Sequence, residues 1–255
     1  MITIKTDQDI ALMRQAGQIL AQIMRELKAA VAPGIKTEDL DKLANELILK
    51  SGTKPAFKGY QGYPAALCTS VNNEVVHALP SSRKLLEGDI ISLDLGVFLP
   101  TDNLGTGFYS DMAITLPVGN IDPEAGRLVR VTKKSLKRAL ARVNPGKTLG
   151  DIGQAVQSYA ESQGMAVVRE LCGHGIGKQL HEEPEIPNFG QRHKGPILKP
   201  GMVIAIEPMI TAGDWKIKKS TDGYGFETAD GSLAAHFEHT IAVTNKGNLI
   251  LTAID

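Results

Sequence analysis

A glycine-rich segment, Glu170–Glu185, contains two histidines, His174 and His181, that lie seven positions apart. Glycine lets the backbone approach a bound group closely and adopt conformations that other residues avoid. A histidine in such a segment is a candidate metal ligand or proton carrier. The alternative is a loop in which His174 only bonds a neighbouring group, and this segment alone does not separate the two. The helical zinc motif of metalloproteases is excluded, because it requires histidine where Glu185 stands.

Four carboxylates lie in stretches that otherwise have the composition of buried strands: Asp94, Asp111, Glu207 and Glu238. Burying an unpaired carboxylate costs several kcal/mol or more. A lysine or arginine partner would explain one such acid, but these stretches contain neither residue. A pair of divalent ions would neutralise all four acids, and two metals about 3.5–4 Å apart are a known hydrolytic arrangement. Carboxylates with one histidine favour Mn²⁺, Fe²⁺, Co²⁺ or Zn²⁺ over copper or iron–sulfur chemistry.

The elements that must position these residues are helices and short strands. Helix caps, apolar residues at three- and four-residue steps, and stop signals predict four helices. The helices begin at Thr6, Thr37, Asp122 and Leu149, and they end at Pro33, Gly52, Pro145 and Gly164. The predicted strands are Asp89–Val97, Phe108–Leu116, Met202–Ile210, which Glu207-Pro208 interrupts, and Ala234–Val243. A long loop, Leu99–Gly107, joins the first two strands as a hairpin.

The sequence also contains a weak internal repeat. Val31, Pro33, Gly34, Asp39, Leu40 and Gly52 match Val143, Pro145, Gly146, Asp151, Ile152 and Gly164 at an offset of 112. Six matches at one offset indicate two related halves, about 1–118 and 119–255, within a single domain. We therefore expect a duplicated α+β fold in which helices flank an antiparallel sheet.

The composition is typical of an ordinary soluble protein, with 42% hydrophobic and 22% charged residues and a formal net charge of zero. No global charge attracts nucleic acid or an anionic membrane. The two cysteines, Cys68 and Cys172, make no disulfide framework and suit a reducing compartment. No signal-like segment or membrane-length apolar run is present in the sequence. We expect a cytoplasmic monomer without a membrane partner.

Several motifs resemble those of the type I methionine aminopeptidases. They are Cys172-Gly-His-Gly-Ile-Gly with His181-Glu-Glu-Pro, Leu198-Lys-Pro-Gly-Met with Ile206-Glu-Pro-Met, Ser232-Leu-Ala-Ala with Phe237-Glu-His-Thr, and Ser70-Val-Asn-Asn-Glu-Val-Val-His. The match keeps its order over nearly the whole chain. The resemblance implies the pseudo-two-fold pita-bread fold. It also implies removal of the initiator methionine from nascent proteins when a small residue follows, by hydrolysis with a water bound to metal ions.

The resemblance assigns roles residue by residue. The ligands of two divalent ions would be Asp94, Asp111, His174, Glu207 and Glu238, with Asp111 and Glu238 bridging the ions. Glu207 would also act as the general base, His181 would stabilise the oxyanion, and His77 would bond the peptide beside the scissile amide. The methionine side chain would be bound by Phe57, Tyr60, Tyr63, Cys68, Leu180 and Tyr224.

The chain departs from the family pattern around this pocket. The family commonly has cysteine, histidine, phenylalanine and tryptophan where this chain has Phe57, Gln61, Leu180 and Tyr224. The spacing from Asp94 to Asp111 is about six residues longer than usual, which lengthens the Leu99–Gly107 loop. We hypothesise that this loop borders the cleft and changes access for the residue after methionine. No metal ligand is changed.

The expected partner is the N-terminal segment of a nascent polypeptide, with transient ribosome contact and no sequence recognition of nucleic acid. Two alternatives stay open at this point. One is an Xaa-Pro peptidase of the same fold, although those relatives usually carry an extra N-terminal domain and only about 80 residues precede His77. The other is a non-catalytic binding protein, which would have no reason to keep these ligands and histidines together.

Overall fold

The computed structural model describes residues 1–101 and 105–253. The helices are α1 (Asp7–Ala30), α2 (Thr37–Lys50), α3 (Pro123–Leu140) and α4 (Leu149–Ser162). The strands are β1 (Lys54–Pro55), β2 (Leu67–Val71), β3 (Glu74–Val76), β4 (Ile90–Pro100), β5 (Gly107–Pro117), β6 (Ala166–Val167), β7 (Cys172–Gly175), β8 (Glu182–Pro187), β9 (Val203–Ile206), β10 (Met209–Thr211), β11 (Ile217–Lys219), β12 (Phe226–Thr228), β13 (Ala234–His236), β14 (His239–Thr244) and β15 (Gly247–Ile250). None of the described helices is long and apolar enough to cross a membrane.

Local capping signals determine where the helices start. The Thr6 side chain accepts a hydrogen bond from the Asp9 backbone N–H, and the Asp9 carboxylate accepts one from the Thr6 N–H, which caps α1. Thr148 and Asp151 make the same capping box on α4. The predicted end of α3 near Pro145 is wrong, because α3 ends at Leu140. The following residues continue as a turn with shorter-range backbone bonds, including one from Arg142 N–H to the Ala139 carbonyl (2.8 Å).

The strands form antiparallel sheets. The predicted interruption at Glu207-Pro208 is confirmed, whereas Ala234–Val243 is not the continuous strand that the sequence predicts. Met202–Ile210 divides into β9 and β10, and these belong to different sheets. Glu207-Pro208 lies at this break, where proline has no N–H to continue the ladder. Ala234–Val243 divides in the same way into β13 and β14, with Glu238 at the break. Glu207 and Glu238 therefore lie at strand ends, where the backbone changes sheet.

The β4–β5 hairpin is longer than predicted. Its pairing continues from Ile90 opposite Pro117 to Pro100 opposite Gly107, so both ends of the predicted Leu99–Gly107 loop lie in strands. A Cβ at Gly107 would overlap the Leu99 carbonyl oxygen and lie 2.6 Å from the Phe98 ring, so close pairing at this end requires glycine. Residues 102–104 of the predicted loop lie outside the described residues.

Equivalent backbone contacts recur in the two halves. α2 and α4 have 14 residues each, and Leu149 at the start of α4 follows Thr37 at the start of α2 by the predicted offset. Gly34 N–H donates to the Leu85 carbonyl (2.7 Å), and Gly146 N–H donates to the Leu198 carbonyl (3.0 Å). These contacts agree with a duplicated unit. The boundary at residues 118 and 119 stays a prediction.

Strand β5 of the first half joins the second half along β14. The Thr240 hydroxyl donates to the Asp111 carbonyl (2.8 Å), and the Glu238 N–H donates to the Ala113 carbonyl (2.9 Å). The apolar side chains of β4 that flank Asp94 pack with α1 and α2 in one core. Because side chains alternate along a strand, Asp94 points away from these helices. The acids therefore collect on the helix-free side of the sheets, at the junction of the halves.

Two helical glycines give opposite predictions for substitution by alanine. A Cβ at Gly17 in α1 would lie 2.7 Å from the Leu251 carbonyl carbon, so Gly17→Ala should destabilise the fold by about 1–3 kcal/mol through overpacking. At Gly126 in α3 the nearest atom is the mobile end of Arg130, at 3.2 Å. Gly126→Ala should therefore stabilise by up to about 1 kcal/mol through helix propensity. Urea unfolding of both variants checks this pair, and equal effects would contradict the packing of α1 on the C-terminal segment.

Candidate active site

Asp94 and Asp111 lie on neighbouring strands and point to the same face. In the β4–β5 register Asp111 stands opposite Gly96, two residues after Asp94, so the two acids are diagonal neighbours. Gly96 has a packing reason to be glycine, because a Cβ there would lie 2.7 Å from the Phe57 ring. Cys68 stands directly opposite Asp94 on β2. The hairpin thus places two carboxylates beside two residues of the predicted methionine pocket.

The second half contributes His174, Glu207 and Glu238. His174 on β7 pairs with Ala205 on β9, and Glu207 follows β9 directly. His239 on β14 pairs with Ile206, so the adjacent Glu238 comes opposite Glu207. The His174 Nε2 atom lies 3.4 Å from Asp111 Oδ2 and 3.7 Å from Glu207 Oε1. All five predicted ligands are therefore brought to the junction of the halves.

The electrostatics of this cluster are those of acids that lack a cation. Burial, with Glu207 and Asp111 adding to it, raises the pKa of Asp94 to about 7. The same causes, burial first, raise the pKa of Glu238 well above its usual value. Burial opposes the charge on His174, but Asp111 outweighs it and raises the pKa of His174 to about 9. Each shift shows a site in which negative charge is uncompensated.

The donor set fits divalent metal ions. Ligand atoms of Asp111, His174 and Glu238 all lie within 4.8 Å of one another. Asp94 Oδ1 is buried without a hydrogen-bond partner in the described part of the chain. Oxygen-rich sets with one imidazole suit Mn²⁺, Fe²⁺, Co²⁺ and Zn²⁺. Ions at this position would satisfy the orphaned Asp94 oxygen and relieve the repulsion that shifts the pKa values.

His236 lies beside the acid cluster and contacts one of the predicted ligands, Glu207. Its ring is buried, and its Nε2 atom lies 3.5 Å from Glu207 Oε2. The Thr115 hydroxyl donates to the His236 carbonyl (2.7 Å), which anchors the backbone to β5. Burial disfavours charge on the ring, but Glu207 and Asp94 raise the pKa of His236. His236 thus helps to orient the Glu207 carboxylate.

His181 stands at the mouth of the site. Its ring centroid lies 4.2 Å from that of His174, and its Nδ1 atom lies 2.8 Å from the Tyr60 hydroxyl oxygen. Enclosure of the ring, followed by the effect of His174, lowers the pKa of His181. The ring is therefore neutral at pH 7, with one nitrogen bonded to Tyr60 and the other available.

His77 follows β3 in a left-handed backbone conformation, with φ of 60°, which is uncommon for a residue with a side chain. The neighbouring Val76 pairs with Phe226 of β12, and the Phe226 and His77 rings are 6.1 Å apart. The ring is open to the cavity, but the surrounding protein removes enough water to lower the pKa of His77 to about 4. Strained backbone of this kind is typical of functional residues.

All thirteen residues that the sequence assigns to the site line one cavity of about 360 Å³. It is lined by Phe57, Tyr60, Tyr63, Cys68, His77, Asp94, Asp111, His174, Leu180, His181, Glu207, Tyr224 and Glu238. Sequence reasoning missed three further lining residues, Lys219, Gly223 and Phe226. The Lys219 ammonium lies 5.6 Å from the centre of the Phe226 ring. No motif pointed to these residues, because strands β11 and β12 are too short to give a periodic signal.

The apolar wall of the cavity is built around Tyr63. Its hydroxyl donates to the carbonyls of Leu67 (3.2 Å) and Ala78 (3.1 Å), and burial raises its pKa far above the usual value. The Tyr224 ring meets the Tyr63 ring edge-on at 5.6 Å, and the Tyr224 hydroxyl donates to the Gly62 carbonyl (3.0 Å). Both phenol hydroxyls are bonded to backbone, so the rings present apolar surface to a ligand.

A second, wider cleft of about 850 Å³ adjoins the cavity, and His174 and His181 line both. The N-terminal segment forms one wall of this cleft, and β8 forms the other. The buried ion pair of Lys5 Nζ and Glu182 Oε2 (2.6 Å) holds the two walls together. The two histidines thus stand where the cavity opens into the larger cleft.

Comparisons with known proteins agree with this architecture. The profile of metallopeptidase family M24 matches residues 11–245. Methionine aminopeptidase 1 of Bacillus subtilis (strain 168) is 47% identical over 254 residues, covering 100% of both chains. The crystal structure of methionine aminopeptidase from Thermotoga maritima is 44% identical, with a TM-score of 0.95 over 100% of both chains.

A prolidase from Pyrococcus furiosus shares the fold at a TM-score of 0.76, with 22% identity over 99% of this chain and 66% of its own. The pseudo-two-fold pita-bread fold that the motifs imply is thereby confirmed. The family profile and the full-length relatives together establish that this chain belongs to metallopeptidase family M24.

Proposed function

We propose that this protein is a metal-dependent aminopeptidase that removes the N-terminal methionine of nascent polypeptides when the second residue is small. The observation that carries the proposal is the single cavity that joins an uncompensated cluster of four carboxylates and a histidine to an apolar, tyrosine-lined wall. An acid cluster of this kind suits metal-assisted hydrolysis. The adjoining apolar wall suits one uncharged side chain.

The proposed cofactor is a pair of divalent ions, chosen from cobalt, manganese, iron and zinc, held by Asp94, Asp111, His174, Glu207 and Glu238. Asp111 and Glu238, which come from the two halves and meet at their junction, would each supply carboxylate ligands to the ions. When bound, the ions would polarise the scissile carbonyl and make a water more acidic. Glu207 is proposed to take the proton of the attacking water, with its carboxylate oriented by His236.

The two histidines at the mouth are proposed to act on the peptide bond. We take the Tyr60 hydroxyl as the donor to His181 Nδ1, which leaves the proton of the neutral ring on Nε2. That N–H can then stabilise the oxyanion that forms on the substrate carbonyl. His77, held by its strained backbone, is proposed to bond the peptide beside the scissile amide.

Removal of the Tyr60 hydroxyl should separate binding from turnover. Tyr60→Phe keeps the ring on the cavity wall but frees His181 Nδ1, so kcat should fall about tenfold with KM changed less than about twofold. Steady-state kinetics on a Met-Gly-initiated peptide measures both constants. Tyr63→Phe is the matched control, because the Tyr63 hydroxyl donates to the backbone carbonyls of Leu67 and Ala78 and its loss should leave kcat nearly unchanged. Equal kcat losses in both variants would contradict the role of Tyr60.

The methionine side chain is proposed to occupy the space between Tyr63, Tyr224 and Leu180, with Phe57 and Cys68 completing the pocket. An unbranched, polarizable thioether fills such an irregular apolar space well. The remaining substrate residues are proposed to leave through the adjoining cleft. Transient ribosome contact, a monomeric state and a cytoplasmic location are further parts of this proposal. The effect of residues 99–107 on access for the second substrate residue also stays a prediction.

The direct test is a panel of four peptides beginning Met-Gly, Met-Lys, Leu-Gly and Met-Pro, offered to the metal-loaded protein. The proposal expects methionine to be released chiefly from Met-Gly. Cleavage confined to the Met-Pro peptide would assign the protein to the Xaa-Pro peptidases instead. No cleavage by folded, metal-loaded protein would mean that the chain is a non-catalytic binding protein.

A further inference from the structure

We propose that the exposed face of α3 binds the phosphate backbone of double-stranded RNA. Residues 123–147 contain eight of the 28 basic residues of the chain but only one of its 28 acidic residues, Glu124. Helix α1, by comparison, contains three basic and three acidic residues. The basic excess is therefore a local property of one helix, concealed by the zero net charge of the whole protein.

The cations lie on one side of the helix. We call the exposed residues Arg130, Lys133, Lys134, Lys137, Arg138 and Arg142 the basic face. The opposite side of α3, which includes Leu128, Val131 and Leu136, is buried in the hydrophobic core that α3 shares with α4. The face therefore projects into solvent along the second half of α3 and the turn that follows it, which carries Arg142, over about 18 Å.

No acidic residue of the described part of the chain neutralises the basic face. In the described part of the chain none of the six residues is in an ion pair. Lys134 and Arg138 instead lie over the Tyr159 ring, at 5.3 and 4.3 Å from its centre, which fixes two of the cations in place. The helix dipole favours cations in the last turn, but it does not explain Arg130 or Lys133. Like charges one turn apart oppose helix formation, so this arrangement points to an external anion.

Features of the basic face favour a nucleic acid duplex over other polyanions. The large apolar side chains that are exposed among the described residues lie outside α3, so the face has nothing to insert into a membrane. Tyr159 is covered by Lys134 and Arg138, so no free aromatic ring is offered for stacking on single-stranded bases. Lysine and arginine side chains bind the phosphates of a duplex without reading its sequence. The choice of RNA over DNA rests on the proposed function, because nascent chains appear on an RNA-rich particle.

Binding through this face would leave the site free. The cavity and the adjoining cleft are lined by residues outside α3. The enzyme could therefore be held on RNA while its cleft stays open to a peptide. This separation also allows the two activities to be tested independently.

The test is fluorescence anisotropy with a labelled RNA duplex of about 20 base pairs, at about 50 to 200 mM salt. The triple variant Arg130→Gln, Lys137→Gln, Arg142→Gln removes three cations and keeps the pair on Tyr159. We expect at least about tenfold weaker binding and a salt slope that is flatter by about three. A matched triple variant on α1 and α2, Arg25→Gln, Lys28→Gln, Lys50→Gln, should bind as the unchanged protein does.

Three results would overturn the proposal: no RNA binding by the unchanged protein at about 50 mM salt, equal loss in the α1–α2 variant, or tighter binding to phosphatidylserine vesicles than to RNA. Thermal unfolding verifies that both triple variants are folded. Methionine release from a Met-Gly peptide is measured alongside and should be the same in all three proteins. If the unchanged protein releases no methionine, the proposed reaction is refuted. The RNA measurement would still decide the role of the basic face.

Discussion

Glu207→Gln is expected to lower kcat for methionine release by about 10²–10⁴-fold while leaving the protein folded. Glutamine has the same size and can still bond His236, but it cannot take a proton at neutral pH. It also removes one negative charge from the cluster, so metal affinity should fall as well. Steady-state rates at saturating metal separate the two effects, and calorimetric titration measures the affinity.

Glu26→Gln on the exposed side of α1 is the matched control, because it makes the same change far from the cavity. It should leave both kcat and metal binding unchanged. A Glu207→Gln protein that regains the full rate at high metal concentration would be a variant in which only metal binding was lost. In that case Glu207 would be a ligand but not the general base.

Asp94→Asn should change the sign of its effect on stability when metal is removed. In the metal-free protein the Asp94 carboxylate has a pKa of about 7, above the ordinary value of 3.8. The folded state therefore holds the proton more tightly than the unfolded state, and stability is lost as pH rises from about 4 to about 7. At pH 8 the neutral asparagine avoids this penalty. Chelated Asp94→Asn should then be more stable than chelated wild type by on the order of 2–4 kcal/mol.

With metal bound the order should reverse, because the variant has lost a ligand and gains less stability from metal binding. Urea unfolding at pH 4 and pH 8, with and without chelator, gives the four comparisons needed. Asp230→Asn is the control: Ser232 and neighbouring backbone N–H groups lower the pKa of this exposed acid to about 2, so its effect should not depend on metal. A chelated Asp94→Asn protein that is less stable than wild type at pH 8 would contradict the uncompensated charge of the site.

The parts of the fold that the sequence predicted best depend on local signals. α4 begins where expected because the capping box of Thr148 and Asp151 fixes its first turn locally. α2 also begins where expected, but its first N–H groups bond the distant carbonyls of Arg83 and Ser81. The end of α3 was wrong because the chain leaves the helix gradually, and no glycine or proline marks Leu140. The interruption of Met202–Ile210 was predicted because Pro208 marks it, whereas Ala234–Val243 was wrong as a continuous strand. No glycine or proline marks the break at Glu238, and only sheet pairing decides where it lies.

The candidate site was predictable to a greater extent than the strands that carry it. An acid within an apolar stretch is unusual enough to be recognised as a candidate site residue by itself. The motifs then indicate that these acids belong to one site. Lys219 and Phe226 were missed for a physical reason. They enter the cavity because β12 pairs with β3 beside His77, a contact between residues about 150 positions apart that leaves no periodic pattern. The basic residues of α3 can be read from the sequence, but the zero net charge of the whole chain gave no reason to look for a local excess.

The most direct test of the account is methionine release from a Met-Gly-initiated peptide by one protein sample before chelation, after chelation and after return of Mn²⁺, with bound metal counted at each stage. Activity should be lost when the metal is removed and should return as two ions bind per chain. Full activity in chelated protein shown to be metal-free would contradict the assignment of the acid cluster as a hydrolytic metal centre.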